Sequence, residues 1–145
     1  MKKNPENKEP TYTPMVEQYL QMKKSYGDII LFFRLGDFYE MFLEDAELCS
    51  KELQLFLTKK AAGNGTFIPM CGIPHHAYLS YAQKLIDRGY KVAICEQVED
   101  PKLTKKLVKR DVVQIITPGA NLDLNSSEHN YIASLSLDVR QAFLC

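Results

Sequence analysis

Phe38 and Glu40, within Gly36-Asp37-Phe38-Tyr39-Glu40-Met41-Phe42, are the residues whose types and spacing most suggest chemistry. On an extended backbone alternate side chains share a face, so ring and carboxylate project together while Tyr39 points the other way. Aromatic rings favour burial and a carboxylate resists it unless donors meet it, which leaves two readings. One is a core phenylalanine beside a surface glutamate. The other is a wedge and a sensor for nucleic acid. An apolar side chain inserted from the minor groove unstacks and kinks a duplex at a cost of roughly a few kcal/mol per step. A mispaired step is already poorly stacked and yields more cheaply. A carboxylate among phosphates binds ordinary duplex badly, which favours sites where a base offers it a hydrogen bond.

Lys59 and Lys60 at a strand end, and the run Lys102, Lys105, Lys106, Lys109 and Arg110, are either phosphate contacts or solvated surface charges. Pro69 and Met70, between Ile68 and Cys71, are either strand packing or an apolar floor against sugar and base. Cys71, His75 and His76 have metal-ligating types but match no zinc spacing. The acids Asp37, Glu40, Glu44, Asp45, Glu96, Glu99 and Asp100 supply the one competing enzymatic reading, a metal-dependent nuclease. Most of them fall where helix first turns and solvated turns are expected. A third reading is a domain that mainly docks other proteins. No phosphate-binding Gly-x-x-x-x-Gly-Lys-Ser/Thr loop occurs, and Ala62-Gly63-Asn64-Gly65 is only a flexible turn.

The elements that must position these residues follow from periodicity. Residues Met1 to Tyr12, polar and broken by Pro5 and Pro10, form a flexible arm. Thr13-Pro14 starts a helix, with the hydroxyl as cap and proline in the first turn, and Gly27 ends it. Ile29 to Leu35 is a strand apolar on both faces, as if covered by helices on both sides. Glu44 to Leu53 is an amphipathic helix and Leu55 to Thr58 a short strand ending on the lysine pair. Phe67 to Ile73, containing Pro69, is expected at a sheet edge because proline cannot donate to a ladder. A helix over Ala77 to Asp87, a strand over Lys91 to Cys95, a polar connection and a last strand over Val112 to Thr117 complete one domain over residues 13–119. Residues 120–130 read as a linker, and the alternation from Tyr131 reads as the first strand of a second domain over 131–145 that continues in a longer natural protein. Helices interleaved with strands make the fold α/β around a mixed sheet.

The 145 residues, 46% of them hydrophobic, suffice for one core plus a tail. There is no apolar run of roughly 18 residues and no basic-then-apolar leader, so neither a membrane span nor secretion is expected. Cys49, Cys71, Cys95 and Cys145 are scattered singly, as in a reduced, cytoplasmic protein. Zero net charge argues against a dedicated polyanion binder, so a nucleic-acid role must rest on local patches or on other parts of a larger protein.

Several segments together resemble one family. Thr13-Pro14-Met15, Gly36-Asp37-Phe38-Tyr39-Glu40, Leu57-Thr58-Lys59, Ile68-Pro69-Met70-Cys71-Gly72-Ile73-Pro74, Val92-Ala93-Ile94-Cys95-Glu96-Gln97 and Ile116-Thr117-Pro118-Gly119 are similar, in order, to the start of the MutS family of bacterial DNA mismatch repair proteins. The resemblance implies a non-catalytic mismatch-recognition domain of the MutS domain I type, followed by the start of an α/β connector. By the same resemblance Phe38 stacks on a mispaired or unpaired base and Glu40 hydrogen-bonds it. Leu35, Lys59, Lys60, Pro69 and Met70 line or flank the DNA. Two departures are Lys60, where many members carry arginine, and Cys71, where many carry alanine. The full-length protein is implied to be a cytoplasmic, ATP- and magnesium-dependent homodimer that binds mismatched duplex DNA and signals to a repair factor such as MutL. No metal or cofactor is expected within this segment.

Overall fold

A computed structural model describes residues 11–119. The linker over 120–130, the strand expected from Tyr131 and the arm up to residue 10 lie outside the described residues. At the middle of the fold is β1 (Ile30–Leu35), whose first four residues are fully buried because both sheet faces are covered. Ile30 and Phe32 enter one apolar cluster, Leu31 and Phe33 the other. Each buried phenylalanine contributes about 1.5–3 kcal/mol of transfer free energy, so the alternation anchors both layers.

Around β1 a six-stranded mixed sheet forms in the order β3-β4-β2-β1-β5-β6. The strands are β2 (Phe38–Phe42), β3 (Thr58–Gly63), β4 (Thr66–Pro74), β5 (Val92–Gln97) and β6 (Arg110–Ile116). Only β1 and β5 run parallel; the other neighbours are antiparallel. Helix α1 (Pro14–Tyr26) covers one face through Val16 and Tyr19. Helices α2 (Leu43–Glu52) and α3 (Tyr78–Asp87) cover the other through Ala46, Cys49, Ala82 and Leu85. This is the α/β mixed sheet flanked by helices that the periodicity predicts.

Three local expectations are corrected, and the path of the chain at Gly36 is resolved. It reverses there. Leu35 pairs with Phe38, so Gly36-Asp37 is a two-residue hairpin loop, with Gly36 at φ 58° in the place where such loops take glycine. The third strand is not Leu55 to Thr58 but Thr58–Gly63, built from the lysine pair and the small residues read as a loop. Phe56 and Leu57 are instead exposed. Its lysines and alanines have low strand propensity but suit an outer strand, where charge blocks edge-to-edge pairing. Consequently β4 is not an edge strand. Pro69 is tolerated in it because the ladder with β2 stops at the Phe42–Met70 rung, one residue short of the proline. Finally, the Thr13 hydroxyl makes no capping bond. The Thr13 amide donates to Ala62 O at 2.8 Å, tying α1 to β3, and Tyr12 packs against the α1-side cluster.

Strand β2 passes into α2 without a loop, and Leu43 absorbs the change of direction at φ 56°. A non-glycine residue held there stores on the order of 1–3 kcal/mol. The junction is secured by buried Asp45, which accepts from Lys23 Nζ at 2.9 Å, Tyr19 Oη at 3.1 Å and the Leu31 amide at 3.0 Å. Burial, then the neighbouring Asp45 charge, pushes the Tyr19 hydroxyl well above the ordinary phenol range.

Candidate nucleic-acid interface

On the α1 side of the sheet the register sets side chains in rows across the strands. Leu35, Phe38 and Pro74 form one row; Phe33, Glu40 and Gly72 the next; Phe42, Met70 and Thr58 the third. Phe33 and Phe42 are fully buried in the cluster that α1 covers. Toward the hairpin loop that cover thins. Phe38 is 49% exposed, although ordinary burial statistics would place a phenylalanine inside. Tyr39, alternating to the opposite face, is buried against Phe32 and Tyr78.

The loop that presents Phe38 is held from both sides. Asp37 O accepts from the His75 amide and from His75 Nδ1, each at 2.8 Å; because a carbonyl only accepts, that ring nitrogen carries the proton. Arg34 Nε donates to Gly36 O at 2.6 Å and Arg34 Nη1 to Glu96 Oε1 at 3.3 Å. Glu96 also accepts from the Tyr39 hydroxyl. Burial and this bond to Glu96 push the Tyr39 hydroxyl above its ordinary range. The ring of Phe38 therefore stands on a fixed base.

Glu40 is mostly covered, with its side chain 15% exposed, and Lys60 Nζ lies 3.4 Å from its carboxylate and 5.8 Å from the Phe42 ring centre. Arg110 lies on the same face, with its guanidinium 4.6 Å above the Phe33 ring. It donates to Arg34 O at 2.8 Å and Gln18 Oε1 at 2.6 Å. Burial lowers its pKa, opposed by the neighbouring Cys95 and Glu40. The acid thus sits between two cations, a local positive frame that the zero overall charge conceals.

Residues 13–125 match the family model described as MutS domain I. The chain belongs to that family. It is 60% identical over 127 residues to the DNA mismatch repair protein MutS of Oceanobacillus iheyensis, covering 86% of this chain and 15% of the relative. It is 61% identical over 125 residues to the protein of the same name from Macrococcus caseolyticus, covering 85% and 14%. For the Bacillus subtilis protein the identity is 56% over 128 residues, with 86% and 15% covered. The chain therefore spans about 15% of the length of these relatives.

Of the residues singled out through the MutS resemblance, Leu35, Phe38, Glu40, Lys60 and Met70 share the α1-side face. Lys59 and Pro69, paired with each other, alternate to the opposite face at the sheet's outer end. Within the basic run, Arg110 is a buried structural residue, whereas Lys102, Lys105, Lys106 and Lys109 are exposed. Reading the run as one patch misses this division, because the last strand, expected from Val112, begins at Arg110. Gly72, which the sequence does not single out, pairs with Glu40 and lies on the same face between Met70 and Pro74, a placement that only the strand register gives.

Three of the acids considered for a nuclease make structural bonds instead. Asp45 is buried in the α1–α2 junction, Glu96 holds Arg34, and Asp100 accepts from the Lys102 amide in its own turn. Among the described residues no group of three or more His, Cys, Asp or Glu forms a metal-holding cluster. Among the same residues no helix is long and apolar enough to cross a membrane.

Proposed function

We propose that this chain is the mismatch-reading domain of a DNA mismatch repair protein, with Phe38 as the wedge and Glu40 as the base sensor. The observation that carries this reading is the half-exposed Phe38 ring, on a loop held by His75 and Arg34, sharing a face with a carboxylate set between Lys60 and Arg110. The relatives' common name, DNA mismatch repair protein MutS, supports the substrate class. An aromatic ring inserted from the minor groove separates a step only where stacking is already weak. Glu40 then accepts a hydrogen bond from the displaced base, and repulsion between its carboxylate and backbone phosphates disfavours well-paired duplex. Lys60 and Met70 flank the entry, the lysine as a point charge toward phosphate. Lys59 and Pro69, on the far face, contact DNA only where it wraps the outer strand.

The domain itself is non-catalytic on this reading. The longer protein uses ATP and magnesium elsewhere in its chain, binds mispaired duplex as a homodimer in the cytoplasm, and passes the signal to a partner such as MutL. The test is a photocrosslink: a benzophenone-bearing amino acid replaces Phe38 in the full-length protein, which is irradiated on duplexes with one mispair or none. Adducts concentrated at the mispaired base are expected. Adducts spread evenly along both duplexes, or none on DNA, would overturn the assignment.

A further inference from the structure

We propose that Gly72 is a specificity-determining floor that seats the deoxyribose and base edge of the nucleotide beside the one Phe38 displaces, an inference that rests on the mismatch-reading function above. Glycine in a strand interior costs backbone entropy, packs nothing, and typically marks a bulge, a bend or a close external approach. At Gly72 the internal reasons are missing. Its rung with Glu40 lies between the regular rungs Met41–Cys71 and Tyr39–Ile73, so there is no bulge. Its φ lies outside the left-handed region. A Cβ built on it meets only Tyr39 O at 3.5 Å and Glu40 Cγ at 3.6 Å, both ordinary contacts. Gly63 is the opposite case: its φ is +109°, and a Cβ there would lie 2.7 Å from Thr11 O.

What the missing side chain creates is a space outside the domain. Gly72 projects nothing between Met70 and Pro74, residues separated by roughly 13 Å along an extended strand. One long side of this trough is the Glu40 stem, and the Phe38 ring stands in the next row. A flat backbone surface edged by apolar side chains suits the C–H face of a deoxyribose. Its position beside the carboxylate holds that nucleotide next to the one whose displaced base Glu40 bonds. The strand itself would accept a Cβ at ordinary contact distances, so the glycine serves the ligand.

The test uses the full-length protein, a labelled duplex with one mispair and its fully paired counterpart, and the variants Gly72→Ala, Gly72→Val, Phe38→Ala, Glu40→Ala and Glu40→Ala/Gly72→Val. Gly72→Val is expected to melt at or above the parent temperature, because a β-branched residue replaces glycine in a strand. Its affinity for the mispaired duplex should nevertheless fall about tenfold or more, the effect of misfitting a small apolar group, with Gly72→Ala between. The fall should persist in the Glu40→Ala background. Undiminished affinity of Gly72→Val, with Phe38→Ala losing discrimination, overturns the floor and leaves the function standing. Discrimination retained by Phe38→Ala overturns the function itself. A loss that vanishes in the Glu40→Ala background means that Gly72 acts only through the carboxylate, and also overturns the floor. Should Gly72→Val fail to fold, Gly72→Ala decides: lower affinity at an unchanged melting temperature supports the floor, and parental affinity overturns it.

Discussion

Replacing Phe38 with alanine separates what the ring does for the fold from what it does for DNA. A fully buried phenylalanine truncated to alanine costs about 3–5 kcal/mol, transfer and cavity together. Phe38 is 49% exposed, so no enclosed cavity forms and roughly half a transfer energy, about 1 kcal/mol, is lost. Stacking of a base on an aromatic side chain is worth about 1–3 kcal/mol, equivalent to about 5- to 150-fold in affinity. That stacking is available only where the step opens. Phe38→Ala in the full-length protein should therefore bind mispaired duplex about 5- to 150-fold more weakly and fully paired duplex almost as before. Fluorescence anisotropy at fixed salt measures both, and urea unfolding of the same variant measures the fold. Equal weakening on both duplexes, or a stability loss near the buried-phenylalanine value, would refute the wedge.

Lys60→Met should weaken mispaired and paired duplexes alike and flatten the dependence of log affinity on log salt by about 0.9 for one lost phosphate contact; an unchanged slope means that Lys60 touches only Glu40. The buried thiols give a pH prediction: burial raises Cys71 and Cys95 from 9.0 to about 12. The folded state then holds protons that the unfolded state has released, so stability is intact below pH 9 and falls as pH rises toward 12, by at most about 1.4 kcal/mol per unit for each thiol. Urea unfolding from pH 8 to 11 should show that slope reduced in Cys71→Ala; the same slope in parent and variant would place the titration elsewhere.

Much of this architecture is legible without coordinates, and the parts that are not share a cause. Helices α1 and α3 and strands β1 and β5 carry dense apolar periodicity, and their burial follows from it directly. Strand β3 does not. Thr58-Lys59-Lys60-Ala61-Ala62-Gly63 has strand character only because β4 lies beside it and the Asn64-Gly65 turn brings it back, with both residues at positive φ. Its pairing is a tertiary fact that local propensity understates. The hairpin at Gly36-Asp37 was hidden by a glycine that serves equally as a joint or a reversal; the Leu35–Phe38 rung decides between them. The alternation that puts Phe38 and Glu40 together was readable, because it holds for either path of the chain. That Phe38 would be exposed was not, since the cover over each row of the sheet depends on tertiary packing. Nor could spacing foretell that Lys60 reaches back over Phe42 to Glu40.

The guanidinium of Arg110 has a meaning for biosynthesis. Strands β1 to β4 occupy residues 30–74 and emerge from the ribosome in succession, each beside the next partner it needs except that β4 inserts between its elders. Arg110 arrives last, and only then are the Arg34 carbonyl and the Gln18 amide oxygen engaged by it, fastening the first helix and first strand to the final one. The face that carries Phe38 is thus complete only once a residue some seventy positions further along the chain is in place. A nascent chain arrested before that codon would lack the two bonds that Arg110 makes to Arg34 O and Gln18 Oε1.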